Sequence, residues 1–522
     1  MRRWLQDLLV ALSWANLSYL YVWSGLLTYT RADTYFMDRP PPAAAYAAAC
    51  LDVLLLGGVL WVGITLARRI SSGWAFVFIR VVLLLLCLVL LNTLRGVLRP
   101  YSPYLRGQVY QVFGTTGVGL LLCAGVLVLS FVLLRWSTRL LRTASRVLLI
   151  LFPFVPMTLF QGIVAVTTQD PGTFAAASLA PPLDDAKLAP RVLWIIFDEL
   201  DQRLVFDERP ASIVLPELDR FRRQSVAAAR AYSPSTATFT SLPALITGRL
   251  VTRAQRGDAS ELLLTFADVP VPLPWRKVPG IFSRAREAGF NTALIGFFHP
   301  YCRVLHASLT SCWWYAHPTL LNSVRGPLGQ AMFDQTRSLV ETSTLSPFHQ
   351  SLITLHHARN YRDFVEHAKQ TVTQPAYGLT FLHVMIPHAP HFYDRVSGQP
   401  TLGNAPIGGY VDSLVLTDRT LGELRRALES AGLWDKTAIL ISSDHSYRAA
   451  RALDGKLDRR VPFLLKLGGQ KEGVSYAPPF NTIVTHDLLL AVLRGELTTP
   501  QEVVVWLDRC REACAEARRT PE

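Results

Sequence analysis

The chain reads as an α/β protein in two parts, an N-terminal five-helix transmembrane domain followed by a domain with a mostly parallel central sheet flanked by helices. Three observations predict this. Apolar stretches of bilayer-spanning length crowd the first 166 residues. From residue 191 onward, strand-like apolar runs alternate with amphipathic helices, the pattern of a parallel sheet with crossover helices. Over all 522 residues, 50% are hydrophobic and only 17% charged, with a mean hydropathy of +0.25. An average soluble protein is roughly 25% charged, so the composition excludes both a disordered chain and a wholly soluble one.

A membrane-spanning helix takes about 20 apolar residues. Five stretches meet that length, near 8–29, 44–66, 74–96, 112–134 and 146–166. The first follows Met-Arg-Arg and has no small-residue cleavage site after a short apolar core, so it reads as a retained anchor. Residues 1–166 hold 14 Arg, no Lys and four Asp, a net of +10, whereas the remainder carries only +3. The basic excess sits with the apolar half, which points to membrane topology and away from a nucleic-acid-binding face. Arg2, Arg3, Arg68, Arg69, Arg135, Arg139, Arg142 and Arg146 fall on one side of the spans. Arg31, Arg39, Arg95, Arg99 and Arg106 fall on the other. The richer side is cytoplasmic, and an odd number of spans then places everything after 166 outside the cytoplasm. Asp52 and Arg80 lie within spans and read as helix-pairing or snorkelling residues. Cys302 and Cys312 are spaced to close a short bridge, as an exported domain permits.

Residues 167–190 are rich in Ala and Pro and read as a linker. Residues 191–497 form the second domain, and 498–522 a peripheral strand or helix with a polar end. Within that domain four apolar runs end in polar, metal-competent residues. VLWIIF runs into Asp198-Glu199, TALIGFF into His299, LTFLHVMI into Pro387-His388-Ala389-Pro390-His391, and TAILISS into Asp444-His445. Ligands of open α/β sheets bind at the carboxyl ends of the strands. Carboxylates and imidazoles gathered there suit a divalent metal. The loop SPSTATFTSLPALITGR (233–249) leads hydroxyls into a short apolar helix. A metal-activated hydroxyl at that helix start makes a nucleophile, and spacing leaves Thr236, Thr238, Thr240 and Ser241 as alternatives.

The order of these segments resembles the alkaline phosphatase superfamily in its sulfatase-like branch, which includes membrane phosphoethanolamine transferases and lipoteichoic acid synthases. The resemblance rests on RVLWIIFDELD, LPELDRFRRQSVAAARAYSPSTATFTSLPALITG, EAGFNTALIGFFH, FLHVMIPHAPH, and ILISSDHS followed by RRVPFLLK. It implies an alkaline-phosphatase/sulfatase-like catalytic domain. It places Asp198, Asp444 and His445 as metal ligands completed by Thr238, with Glu199 where sulfatases have a second acid. Register on Thr247-Gly248 puts the nucleophile at Thr238. His388 matches the His-x-Pro element facing the substrate, and His299 the His of Gly-Lys-Trp-His. Two departures matter. Thr238 cannot become the formylglycine of sulfatases and lacks the x-Pro-x-Arg that follows it there. Phe297 replaces the sulfatase Lys. Both favour phosphoryl chemistry through a phospho-threonine.

The resemblance therefore implies a membrane-anchored transferase using one divalent ion (Zn, Mn, Mg or Ca). It would move a phosphoethanolamine- or phosphoglycerol-like head group from a phospholipid donor to an envelope glycan or lipid acceptor. Thr238, His388 and His299 are its catalytic candidates. Arg249, His391, Lys456 and Arg460 are candidates for holding the anionic head group. The expected setting is a bacterial plasma membrane with the catalytic domain outside the cytoplasm. The alternatives are a sulfatase-like hydrolase, acting on phosphodiesters or sulfate esters, and a non-catalytic envelope scaffold.

Overall fold

The structure is a computed structural model that describes residues 3–27, 33–70, 142–168, 177–317, 326–341, 351–401 and 406–514, with scattered positions between 73 and 140 and at 174. The chain divides into two compact units. One comprises Met1–Tyr29, Pro40–Asp170 and Thr319–Ile353; the other comprises Thr30–Arg39, Pro171–Pro318 and Thr354–Glu522. The main division falls between Asp170 and Pro171. The sequence boundaries 1–166 and 191–497, however, did not include two exchanged segments. Residues 30–39 belong with the catalytic unit, and 319–353 with the apolar one.

In the apolar unit, the helices Arg3–Ser18, Leu20–Leu27, Ala43–Arg69 and Phe154–Thr167 pack around Trp14, Trp23, Tyr46 and Leu60. Gly57 lets the first and third helices approach, since a Cβ there would lie 2.8 Å from Leu12. The borrowed helix Leu328–Glu341 is held by polar bonds. Tyr19 Oη lies 2.9 Å from Thr336 Oγ1, and Gln335 Nε2 donates to the Ala45 carbonyl at 2.8 Å. Asp52 is buried and bonds Thr336, so its partner comes from this segment and not from a neighbouring span. Arg80 lies outside the described residues.

The expectation of five spans is narrowed. Among the described residues, only Ala43–Arg69 is long and apolar enough by itself to cross a bilayer. Arg142–Ile150 and Phe154–Thr167 pass that test only together, and they are bent by 43°. The stretch 8–29 is broken near Tyr19 into two helices. Most of 74–96 and 112–134 lies outside the described residues.

The catalytic unit is built on an eight-stranded sheet. Its strands are β1 (Arg191–Asp198), β2 (Val226–Ala228), β3 (Thr292–Phe298), β4 (Ser311–Ala316), β5 (Leu379–Pro387), β6 (Thr437–Ser442), β7 (Phe463–Lys466) and β8 (Val474–Tyr476). The order is β8-β2-β7-β6-β1-β5-β3-β4. Strands β6, β1, β5, β3 and β4 run parallel, and β7 is antiparallel to both of its neighbours. Strand β1 shows why its run is continuously apolar. Val192, Trp194 and Ile196 pack into the core on one face, while Leu193, Ile195 and Phe197 pack into a second core on the other. A strand covered on both faces has no polar alternation to show.

The parallel arrangement brings the carboxyl ends of β1, β3, β5 and β6 to one edge. The pairing Ile196↔Ser442 leaves Asp198 and Asp444 just past paired positions, and a register shift after Phe197 sets Asp198 against Pro387. The segment read as a linker is tied down in its later part. Ala180 N–H bonds the His306 and Leu309 carbonyls, Leu183 N–H bonds Asn291 Oδ1, and Lys187 N–H bonds the Gly289 carbonyl. Its Pro and Ala residues form no periodic element, yet these three backbone donors are satisfied, which helps fix a loop in place. The C-terminal helix Pro500–Cys514 buries Val503 and Leu507 against the main core. Cys302 and Cys312 form a disulfide.

Candidate active site

Asp198 is the buried last residue of β1, and Asp444-His445 comes just after β6. Ser443 locks the two strand ends together: its Oγ accepts from Leu200 N–H and donates to the Phe197 carbonyl. Next to Asp198, Glu199 adopts φ +66, and Phe298, next to His299, adopts φ +73. Left-handed backbone at bulky residues is costly and gathers at functional sites.

Asp198, Asp444 and His445 each offer a ligand atom, all within 4.8 Å of one another and all buried. His445 Nδ1 faces the Ser446 carbonyl at 3.0 Å. A carbonyl only accepts, so Nδ1 carries the proton and Nε2 presents its lone pair. That Nε2 lies 3.3 Å from Asp444 Oδ2 and 3.9 Å from Asp198 Oδ1. His383 shows the same tautomer logic. Its Nδ1 faces the Phe297 carbonyl at 2.8 Å, and its Nε2 lies 3.8 Å from Asp198 Oδ2 without a hydrogen-bond partner. His383, buried within β5, thus also faces the acids.

Asp198 Oδ1 and Asp444 Oδ2 are buried and accept no hydrogen bond. Burial, then the neighbouring carboxylates of Asp444 and Glu199, push the Asp198 carboxyl well above its usual range. Asp444 is also pushed up by burial, but His445 and His383 outweigh that and hold it low. Orphaned acids in a dry site are expensive, and a bound divalent cation inverts that balance. Two carboxylates and an imidazole are a suitable donor set for such an ion.

Thr238 begins the helix Thr238–Thr247 after extended Ala237, and Gly248 closes it at φ +67. The His486 ring lies where a Cβ on Gly248 would be, 2.9 Å away. The four hydroxyls left open by spacing now separate. Thr238 Oγ1 is 3.1 Å from His445 Nε2. Thr240 Oγ1 bonds Ser235 Oγ, Ser241 Oγ donates to the Asp444 carbonyl, and Thr236 is exposed. Only Thr238 presents its side-chain oxygen to the ligand cluster.

Glu199 is turned to another partner. Its Oε1 lies 2.7 Å from Arg448 Nε, and it is not one of the three clustered ligands. Burial alone would raise its carboxyl, but His388, His445 and Arg448 together hold it low. Arg448 Nη2 also reaches His388 Nε2 at 3.0 Å. Sequence reasoning missed Arg448, which lies three residues beyond His445 with no motif to mark it.

His299 is wholly buried, with both ring nitrogens engaged. Burial lowers its pKa to about 3, so it stays neutral. The structure thereby sets it apart from His388, whose ring is partly open to solvent. The four head-group candidates do not converge on the acids. Arg249 pairs with Asp268, Lys456 with Glu208, and Arg460 with Asp207 and Asp458. His391 Nδ1 bonds Ser413 Oγ. The first three meet acids supplied by their own surroundings, which sequence spacing could not reveal.

With this geometry in view, the sulfatase family profile matches residues 190–489. The chain belongs to the sulfatase family and is an enzyme of the sulfatase-like type. Similar solved structures include Ps i-CgsB in complex with k-i-k-neocarrahexaose, 17% identical with a TM-score of 0.43, covering 60% of this chain and 74% of that one. They also include the PsFucS1 sulfatase from Pseudoalteromonas sp., 17% identical with a TM-score of 0.41, covering 59% and 68%. The phosphonate monoester hydrolase of Agrobacterium radiobacter is 14% identical with a TM-score of 0.38, covering 58% and 74%. No curated protein matches the chain.

Proposed function

We propose that the protein is a membrane-anchored transferase that moves a phospho-head group from a phospholipid to an envelope glycan or lipid through a phosphorylated Thr238. The observation that carries this is Thr238 Oγ1, a hydroxyl that cannot become an aldehyde, placed 3.1 Å from His445 Nε2 beside two orphaned carboxylates. A divalent ion held by Asp198, Asp444 and His445 would supply the positive charge that activates the hydroxyl and steadies the phosphoryl oxygens.

Thr238 attacks phosphorus, and the bond from phosphorus to the diacylglycerol oxygen breaks. Thr238 gives its proton to water in this step. Water passes that proton to the departing alkoxide; His388, whose Nε2 holds a lone pair, then takes the proton of the acceptor hydroxyl as that oxygen attacks the phospho-threonine. Release returns a proton to Thr238. Arg448, which leans on Glu199 and His388, provides a cation for the head group's anionic oxygens. His299 keeps its place as a support of the Thr238 main chain.

The helix Ala43–Arg69 supports membrane anchoring. The Cys302–Cys312 disulfide supports a catalytic unit outside the cytoplasm. A second reading, hydrolysis with water as acceptor, draws on the sulfatase family match. The full chain, incubated with vesicles of phosphatidylethanolamine and phosphatidylglycerol plus a glycan acceptor, separates the two. Transfer releases diacylglycerol and labels the acceptor. Diacylglycerol accompanied only by free head-group phosphate would establish hydrolysis instead.

A further inference from the structure

The segment before the long apolar helix carries a feature that the reaction above does not use. Residues Asp33–Phe36 form a short 3₁₀ turn, and Tyr35 within it is wholly buried in the catalytic unit's main core. Arg303 Nη2 donates to the Tyr35 carbonyl at 3.0 Å. Phe36 packs on Phe298 with ring centroids 4.8 Å apart. Arg256 pairs with Asp33 at 3.3 Å and lies over the Phe36 ring. The turn is thus fixed by backbone, aromatic and ionic contacts of one unit.

The phenol at its centre has a single directed partner. Tyr35 Oη lies 2.8 Å from His299 Nδ1, across 264 residues of chain. The opposite nitrogen, His299 Nε2, lies 3.2 Å from the Thr238 carbonyl oxygen. That oxygen can only accept, so Nε2 carries the proton and Nδ1 is the bare nitrogen. Tyr35 must then be the donor. The Phe239 ring stacks on His299 at 5.7 Å, and Trp275 meets its edge at 5.2 Å. A ring so enclosed has one orientation: the Thr238 carbonyl fixes its tautomer, and Tyr35 ties down the bare nitrogen.

We propose that Tyr35 is a positioning residue of this active site, acting through His299 on the main chain of Thr238. The strap Asp33–Arg39 is therefore a working part of the catalytic unit. It lies outside the family match of residues 190–489, between the apolar helices Leu20–Leu27 and Ala43–Arg69. The main chain of Thr238 is thus braced by residues that the sequence places between two apolar helices.

The inference rests on Thr238 being the nucleophile, and the test keeps the two claims apart. In the full-length chain, Tyr35→Phe removes one oxygen and keeps the ring that fills the core. It should lower kcat about tenfold or more while KM stays within about twofold and Tm is retained. Residues acting through one another are not additive. In a His299→Ala background, Tyr35→Phe should therefore cause no further loss. A wild-type kcat in Tyr35→Phe, or the same loss in both backgrounds, would overturn the proposal. Adduct mapping on the wild-type chain runs alongside. An adduct on Thr238 with an unaffected Tyr35→Phe ends only the strap's role, whereas an adduct on another residue ends both claims.

Discussion

Two acid-rich clusters of the catalytic unit face opposite fates. Around Arg203, four acids have their cations. Arg203 bonds Asp454 and Glu208, Lys456 bonds Glu208 at 2.8 Å, and Arg460 bonds Asp207 and Asp458. The Arg203 guanidinium holds the Asp454 carboxyl below its usual range. At the strand ends, Asp198 and Asp444 face histidines and each other, and each keeps a buried oxygen with no partner. There burial drives Asp198 up. A cluster that balances its own charge is a brace. A cluster that leaves charge unbalanced in a dry place is arranged for something the chain does not itself supply.

The largest consequence falls on the unbalanced cluster. Asp444→Asn should cost a thousandfold or more in turnover, about 4 kcal/mol of barrier, and should empty the metal site, read by elemental analysis of the purified chain. Full metal content in that variant would place the ion elsewhere.

The next concerns the rim between the clusters. Arg448→Ala leaves the buried Glu199 without its cation and His388 without its donor. kcat/KM should fall about 10–100-fold, roughly 1.4–2.8 kcal/mol. An unchanged kcat/KM would remove Arg448 from the site.

Acid sensitivity sharpens the contrast further. Burial lowers His299 to about 3 and His317 and His383 to about 4, and it drives His357 well below the ordinary value of 6.5. Below pH 6.5 the unfolded chain binds protons that the folded chain refuses, so stability drops as pH falls toward those values. The paired carboxylates of Asp454 and Asp458 are held low, and their contribution is lost only as pH falls below their usual 3.8. Between about pH 6.5 and 4.5 the buried imidazoles pull stability down as pH falls, against an opposite pull from the buried Asp201 and Asp418 carboxyls, each raised to about 6. His357 has both ring nitrogens buried and unpartnered. The chain with His357→Phe should show a shallower decline of Tm over that range than the wild type, and an identical slope would refute the assignment.

The smallest effect belongs to the balanced cluster. Lys456 is exposed and shares Glu208 with Arg203. Lys456→Ala should cost no more than about 1 kcal/mol of stability and leave turnover within about twofold. A large rise in KM would restore Lys456 as a head-group ligand.

The framework of the site was legible because it follows from strand physics. VLWIIF and AILI are apolar throughout because both faces of β1 and β6 are covered, and the acids come just past the last β1–β6 pair. That placed Asp198, Asp444 and His445 on one edge. The choice of Thr238 needed the family register, since four hydroxyls within six residues share one local pattern. Arg249, Lys456 and Arg460 read as free cations because sequence shows a charge and not its partner. Tyr35 and Arg448 had no signal at all. Each acts by a contact spanning 264 or 249 residues, respectively, that leaves no period or spacing behind. The exchanged segments escaped for the same reason.

The central claim is that Thr238 forms the covalent intermediate. Peptide mapping by mass spectrometry, after brief incubation of the full-length chain with mixed phospholipids, tests it most directly. The account predicts a head-group phosphate mass on the peptide carrying Thr238, absent in Thr238→Ala and present in Thr236→Ala and Thr240→Ala. An adduct that survives Thr238→Ala, or that disappears in Thr236→Ala or Thr240→Ala alone, would contradict it.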